Sequence, residues 1–307
     1  MAGLAAGGAE TPRLLRLVPL GVNDVPEHLE LAAAQSNAPS VSAFLAQCLR
    51  EAGQEDFGGF AKTGEVKESV AVSGGRFPVV VEKLKKKGEE GGMWFGRRSV
   101  HADEVSFEEL DAVVRTGHEK NEMEYTPAIY EANTLVEWGF GEAIEGVKDV
   151  EMRITQMHHT MPAPALLNDR VFTVLLISFI ATSPASGTLA QSIDLQLPVD
   201  LSTFPFGIKA RSHTVASSSK LTYKSPDPAT SFQKKQDGRK LVEGKYVSLE
   251  KLSKVEVDGK VVSKWEMKTA SDAEGALPLG VQKLGVPGAI VKDVPLALEY
   301  IVKKRGA

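Results

Sequence analysis

The spacing of apolar residues predicts a helix near each end of the chain. One apolar stripe recurs every three or four positions and consists of Val41, Phe44, Leu45, Cys48, Leu49 and Ala52. Ser40 or Ser42 can cap the start of this helix. A second stripe belongs to a long final helix and consists of Val286, Ile290, Val294, Ala297, Leu298 and Ile301. Pro287 suits the first turn of that helix, and Pro295 is expected to kink it or split it after Asp293.

Alternation of apolar and polar residues predicts that most of the remaining chain is antiparallel sheet. The predicted strands span residues 66–72, 77–87, 93–101, 132–138, 150–161, 170–182, 189–197, 241–257 and 260–269. Between the last two, Asp258 and Gly259 predict a type I′ hairpin, because both central residues of that turn need positive φ. Ser106 and Glu109 form the capping box of a helix. The Ser- and Pro-rich stretch 198–238 predicts a long inserted loop with at most one short strand.

This order of elements predicts an α+β fold. Strands and helices do not alternate along the chain, which disfavours a doubly wound parallel sheet. A curved antiparallel sheet that grips the long C-terminal helix is an economical solution, and it leaves an apolar cavity wherever the helix does not fill the concave face. We expect residues 1–22 to be a flexible N-terminus and residues 23–305 to form one domain.

Composition narrows the class of partner. Apolar residues make up 42% and charged residues 25% of the 307 residues, which excludes a disordered or collagen-like chain. The net charge of −4 lacks the basic excess that a nucleic-acid partner would need. A secretory signal is not apparent, the most apolar run (171–181) is too short to span a bilayer, and we predict a cytoplasmic protein. The lysine run 83–87 is interpreted as a solvated hairpin tip, with weak transient membrane contact as the alternative.

Familiar catalytic motifs are absent, so we predict neither a cofactor nor a metal site. His118 and Glu122 lie four apart on a helix, a spacing more typical of a surface pair than of metal ligands. His158 and His159 point to opposite sides of a strand, so at most one of them faces a cavity. Arg97 shares one strand face with apolar side chains and with His101, the pattern of a cavity wall that orients a ligand or of a wet face with an ion pair.

Several segments resemble START-like domains. Trp94-Phe95-Gly96-Arg97-Arg98-Ser99-Val100-His101, followed by Phe107-Glu108-Glu109, resembles the opening signature of an uncharacterised fungal family of these domains. Residues 166–172 and 244–250 resemble strands of the fold. Residues 269–278, followed by 286–295, resemble its Asp-x-x-Gly-x-Leu-Pro turn and lid helix. The resemblance covers about residues 60–305.

The resemblance implies a helix-grip fold that encloses a tunnel for one hydrophobic molecule: a lipid-like compound, a sterol, a terpenoid or a polyketide. The protein would be a carrier or sensor. We expect the cavity to be lined by Phe95, Arg97, His101, Tyr125, Trp138, Trp265, Met267, Ile290, Val294 and Leu298. The oligomeric state stays open.

Two other functions remain open at this point. A cofactor-independent enzyme of fungal secondary metabolism would use the same cavity as a cyclase, a dehydratase or a pericyclase such as a Diels-Alderase. Its candidate catalytic residues are His101, Arg97, His158 and His159. A pure interaction module would instead fill the cavity with side chains.

Overall fold

The computed structural model describes residues 12–55, 57–72, 75–88, 92–102, 104–141, 143–161, 167–183, 187–218, 220–272 and 279–305. Within these ranges the strands are β1 Ala61–Val72, β2 Gly75–Lys87, β3 Met93–His101, β4 Ile129–Trp138, β5 Val147–His159, β6 Asp169–Ala181, β7 Thr188–Pro198, β8 Thr214–Ser217, β9 Lys220–Tyr223, β10 Lys240–Val257 and β11 Lys260–Asp272. The α-helices are α1 Val41–Gln54, α2 Phe107–Val114, α3 His118–Tyr125, α4 Phe206–Lys209, α5 Ser231–Gln236 and α6 Leu279–Arg305.

The strands form one curved, open sheet in the order β1-β2-β3-β11-β10-β7-β6-β5-β4. All neighbours in this order are antiparallel, and β10 also makes a short parallel pairing with β6. The two long strands β10 and β11 lie near the middle of the sheet and are joined at Asp258 and Gly259, whose φ angles of 52° and 75° confirm the predicted hairpin. The predicted α+β arrangement, a sheet around a C-terminal helix, is confirmed.

Each side of the sheet carries its own apolar core. On the side that we call the inner face, Ile290, Val294 and Leu298 of α6 pack with α2 and with side chains of β2, β3, β10 and β11. On the opposite side, the outer face, Phe44 and Leu45 of α1 pack with residues 14–31 and with β4 to β7. A single sheet can support both layers because successive side chains on a strand point to opposite faces.

Local signals placed two helices as predicted. The Ser40 hydroxyl accepts a hydrogen bond from the Ala43 N–H and caps α1, on which Cys48 is fully buried. The Ser106 hydroxyl accepts from the Glu109 N–H while the Glu109 carboxylate accepts from the Ser106 N–H, so the predicted capping box is present at α2.

Helix α6 differs from its prediction. It begins at Leu279, well before Pro287, and continues through Pro295 without a break, so of the two predicted alternatives, a kink or a split after Asp293, the split does not occur. Each proline removes one helix hydrogen bond, but burial of Val294 and Leu298 against the inner face keeps the helix continuous. None of the described helices has the length and apolar content needed to cross a bilayer.

The prediction of at most one short strand in 198–238 is also wrong. The described part of this insertion contains β8, β9, α4 and α5. Strand β9 pairs with β10, and Tyr223 packs with Tyr130, Val171 and Leu241 in a small core of its own. Elements of four to six residues are too short for periodicity to reveal, and tertiary packing stabilises them.

Part of the predicted flexible N-terminus is packed. Leu14, Leu15 and Leu20 are buried, and the Glu51 carboxylate accepts hydrogen bonds from the backbone N–H groups of Leu14 and Leu15. Residues 12–22 therefore belong to the outer core, which corrects the prediction for that segment. Residues 1–11, Leu166 and most of the predicted Asp-x-x-Gly-x-Leu-Pro turn (273–278) lie outside the described residues.

Candidate functional site

The central strands present a mixed polar and apolar wall on the inner face. Strand β3 pairs with β11 so that Arg97 lies opposite Met267, and Ser99 opposite Trp265. Alternation along β3 therefore brings Phe95, Arg97 and His101 to the face that α6 covers, as the sequence predicts for these side chains.

Arg97 is the most unusual residue of this wall, because its guanidinium is only 1% exposed. Its Nη2 donates to Glu250 Oε2 at 3.0 Å, and Trp265 Nε1 donates to the same oxygen at 2.8 Å. The guanidinium also lies 4.0 Å from the Trp265 ring centre, a cation–π geometry. Its Nε and Nη1 have no hydrogen-bond partner among the described residues, and a buried donor left unpaired is costly.

His101 lies on the same strand face and is also buried. Its Nε2 is 2.9 Å from the Ser99 hydroxyl. Burial lowers the pKa of His101 to about 4, with Arg97 adding to the effect and Glu104 opposing it. The ring is therefore neutral near pH 7 and offers a neutral donor or acceptor.

A second polar group reaches the inner face from α3 and β7. His118 Nε2 lies 3.5 Å from a Glu122 carboxylate oxygen and 3.2 Å from the Gln196 side-chain nitrogen. Burial alone would lower the pKa of His118, but the Glu122 and Asp194 carboxylates raise it well above its ordinary value. The charged form of His118 is therefore favoured beside the Glu122 carboxylate. The described residues contain no group of three or more His, Cys, Asp or Glu side chains that could hold a metal ion.

Two aspartates of this region are held towards their neutral form. Burial raises the pKa of Asp194 well above its usual range, and His118 opposes the rise. Burial likewise raises the pKa of Asp293 on α6, and Arg97 opposes the rise. Six titratable residues of this region interact electrostatically with one another, and we call them the inner polar cluster: Arg97, His118, Glu122, Asp194, Glu250 and Asp293.

Four partly accessible side chains border a cavity beneath α6. Glu122, His159, Tyr246 and Asp293 each keep some accessible surface, yet burial is the leading influence on the pKa of every one of them. Accessible surface within dense protein is characteristic of a cavity wall. The rings of Phe172 and His159 lie 5.3 Å apart, and those of Phe172 and Tyr246 lie 6.0 Å apart. These three rings form an aromatic end to the polar wall.

Two of the predicted site residues lie on the other face of the sheet. Trp138 packs in the outer core, where its Nε1 donates to the Glu27 carbonyl at 3.0 Å, so the prediction that it lines the cavity is wrong. His158 is buried on the outer face against the rings of Tyr130 and Tyr223. The β5–β6 register decides this, because it turns His159 inward and its neighbour outward.

The other predicted lining residues lie on the inner side. The set consists of Phe95, Tyr125, Trp265, Met267, Ile290, Val294 and Leu298, all in one apolar core. Tyr125 ends α3, and its ring centre is 5.8 Å from that of Tyr300 on α6. Sequence reasoning missed the acids Glu250, Asp194 and Asp293. Asp194 is a lone charge in strand β7, but Glu250 and Asp293 directly adjoin Lys251 and Lys292, and neither pattern reveals the face that the acid occupies.

A family model described as "Protein of unknown function (DUF3074)" matches residues 94–301. The chain belongs to this family. The match begins at the tryptophan that opens β3 and ends within α6, so it covers the inner wall and the helix that closes it. A comparison with curated proteins finds no match.

Among solved structures, the DUF3074 chain is similar to human StAR-related lipid transfer protein 5, with 13% identity and a TM-score of 0.49 over 87% of this chain and 96% of that one. It is similar to human STARD10, with 14% identity and a TM-score of 0.46 over 87% and 81%. A STAR-related lipid transfer protein from Xanthomonas axonopodis gives 11% identity and a TM-score of 0.36 over 77% and 98%. These similar structures include START proteins, the type of domain that the sequence resembles.

Proposed function

We propose that the inner face binds one apolar small molecule that carries an oxygen-bearing polar group, and that the protein is a carrier or sensor of this molecule. A sterol, terpenoid, polyketide or other lipid-like compound has this chemistry. The apolar stripe of α6 would cover its body, and the inner polar cluster would orient its polar end.

The unpaired donors of Arg97 carry this proposal. A guanidinium that is 1% exposed, with two nitrogen atoms that find no hydrogen-bond partner among the described residues, is stabilised when another acceptor reaches them. Glu250 and Trp265 hold the guanidinium plane in place, so the directions of the Nε and Nη1 N–H groups are already set. A carbonyl, hydroxyl or carboxylate oxygen of the ligand would accept from either of these two nitrogen atoms.

Burial of the ligand body supplies most of the affinity in this proposal. A ligand that loses about 300 Å² of apolar surface gains roughly 7 kcal/mol at about 25 cal/mol per Å². Hydrogen bonds from a charged donor add about 1.5–3 kcal/mol each. Because Pro287 and Pro295 each remove a helix hydrogen bond, α6 would be the covering element that moves to admit the ligand.

Native mass spectrometry of the purified protein tests the proposal. The expected result is one retained small molecule in the wild-type protein and its loss in Arg97→Lys, which keeps the charge but removes the planar donor edge. Arg98→Lys is the matched control, since Arg98 pairs with Glu266 on the outer face. The proposal fails if no molecule is retained and no lipid, sterol or polyketide protects α6 from hydrogen exchange.

A specific observation also supports an enzyme with the same cavity. Burial raises the pKa of Asp293, whereas His118, against the effect of burial, holds the pKa of Glu122 below its usual value, so two carboxyl groups of one site differ in acidity, as general acid–base catalysis requires. The reaction would be a cofactor-independent cyclisation, dehydration or pericyclic step, with Asp293 or His101 polarising a carbonyl. His158 has no part in it, because it lies on the outer face.

Asp293→Asn distinguishes these two functions. The wild-type protein and the variant are produced in the same host, and the molecule retained by each is identified. A carrier retains the same molecule in both proteins. An enzyme retains product in the wild type, and in the variant it accumulates an unreacted precursor of different mass or connectivity.

A further inference from the structure

A second concave site lies on the outer face, away from the inner polar cluster. It is a pocket of about 250 Å³ between the N-terminal segment, the end of α1 and the strands β2, β3 and β11. Residues 13–17 form one wall, and Lys86, Trp94 and Lys268 line the sheet side. The proposed inner function uses none of these side chains.

The charge of this pocket is strongly one-sided. Among the described residues that line it, four are cationic, Arg13, Arg16, Lys86 and Lys268, and one is anionic, Glu55, a net charge of +3. Glu55 is already paired with Arg13 and Lys268. Within the described ranges, Arg16 and Lys86 form no ion pair with an acidic side chain, although the charge of Lys86 acts on Glu55. The described lining therefore carries a positive excess in a protein whose overall net charge is −4.

The pocket is built into the fold. Arg16 Nε is buried and has no hydrogen-bond partner among the described residues. Lys268 is 5% exposed at its side chain, and burial lowers its pKa to about 8 although Glu55 opposes this change. Aromatic rings complete the sheet side, with Lys86 Nζ 5.8 Å from the Phe60 ring centre and Lys268 Nζ 5.0 Å from that of Trp94.

We propose that this pocket binds a phosphate group, held by Arg16 and Lys86, with Trp94 and Phe60 against the organic part of the ligand. A phosphate dianion matches two cations that form no ion pair in the described structure better than a carboxylate does, and guanidinium and ammonium donors are the usual phosphate partners. Such a phosphate occurs on a lipid headgroup or on a soluble metabolite. The neighbouring Lys85 and Lys87 are exposed at the same end of β2 and would add attraction to an anionic membrane.

The full chain is tested with two probes. Isothermal titration calorimetry measures the affinity for inorganic pyrophosphate. Sedimentation with phosphatidylcholine vesicles, with and without phosphatidic acid, measures whether the protein binds a phosphate group that a lipid headgroup carries. Lys86→Ala and Arg16→Gln should each weaken pyrophosphate binding about ten-fold or more, since each removes one charge-assisted contact. Lys87→Ala is the matched control: it removes the same charge one residue later, where β2 points to the opposite face.

The outcomes separate the two sources of phosphate. Binding of pyrophosphate together with vesicle binding that needs phosphatidic acid and Lys86 assigns the site to a headgroup. Binding of pyrophosphate alone assigns it to a soluble phosphate compound. The proposal is overturned if the wild-type protein binds neither probe, or if Lys87→Ala weakens pyrophosphate binding as much as Lys86→Ala does, which would indicate general surface charge. Ligand retention on the inner face should be unchanged in Lys86→Ala.

Discussion

Replacement of Arg97 by Met removes the cation of the buried pair on the inner face and keeps much of the side-chain volume. In the wild type, Arg97 Nη2 and Glu250 Oε2 are 3.0 Å apart, and the two side chains are 1% and 7% exposed. The variant leaves Glu250 buried, with the Trp265 indole N–H still donating to its carboxylate. We therefore expect Arg97→Met to destabilise the fold.

The loss of folding free energy in Arg97→Met is set by two opposing contributions, the attraction between the charges and the cost of their desolvation. At 3.0 Å and an effective dielectric constant of about 20, the attraction between the two charges is on the order of 5 kcal/mol. Desolvation of both ions costs several kcal/mol each, so the pair as a whole contributes little. Removal of one partner leaves the desolvation cost of the other in place, and such changes cost about 3–5 kcal/mol. Loss of the cation–π contact with Trp265 acts in the same direction.

A double-mutant cycle with Glu250→Gln measures this coupling. Thermal unfolding followed by circular dichroism should give Arg97→Met a Tm lowered by about 5–10 °C, and the double variant should recover most of that loss. Trp265 fluorescence reports locally on the same site. The electrostatic explanation is refuted if Arg97→Met unfolds within about 1 kcal/mol of the wild type, or if the double variant is no more stable than Arg97→Met alone.

Three further changes test the packing, the capping and the titration of the described residues. Gly244→Ala should destabilise by about 1–3 kcal/mol, because its Cβ would collide with the Phe172 ring, whereas Gly53→Ala on α1 meets no atom and should be neutral or slightly stabilising in the same urea titration. Ser106→Ala should cost about 1 kcal/mol through loss of the capping box, measured by thermal unfolding, and no shift in Tm would contradict the cap. Burial lowers the pKa of His101 to about 4, so the unfolded chain binds more protons between pH 6.5 and 4, and stability should fall by up to about 3 kcal/mol as the pH is lowered through that window. His101→Gln should flatten this slope, and an unchanged slope would show that other groups cause it.

Features with a local cause could be predicted from the sequence. The stripe of α1, its Ser40 cap, the capping box at Ser106 and the turn at Asp258 depend on residues only a few positions apart. Their physical causes, helix periodicity, unpaired N–H groups and positive φ, need no knowledge of the rest of the chain. The α+β class follows from the order of these elements.

The candidate site could be predicted only in part. Side chains alternate between the two faces of β3, so Arg97 and His101 must share one face. Once one of them is known to face α6, the other does too. Trp138 could not be assigned in this way, because alternation separates two sets of side chains without saying which set faces which layer. Asp194 and Glu250 joined the site only through the pairing of β7 with β10, which places them opposite each other.

By itself, the sequence determined the class of fold, the caps and turns, the apolar stripe of α6 and the absence of familiar catalytic motifs. Tertiary structure alone decided the continuity of α6 through Pro295, the outward position of His158 and the convergence of Arg16, Lys86 and Lys268 in one pocket. The physical reason is distance along the chain. Strand register and layer packing join residues that no local pattern relates, and burial then fixes which of their charges must be paired.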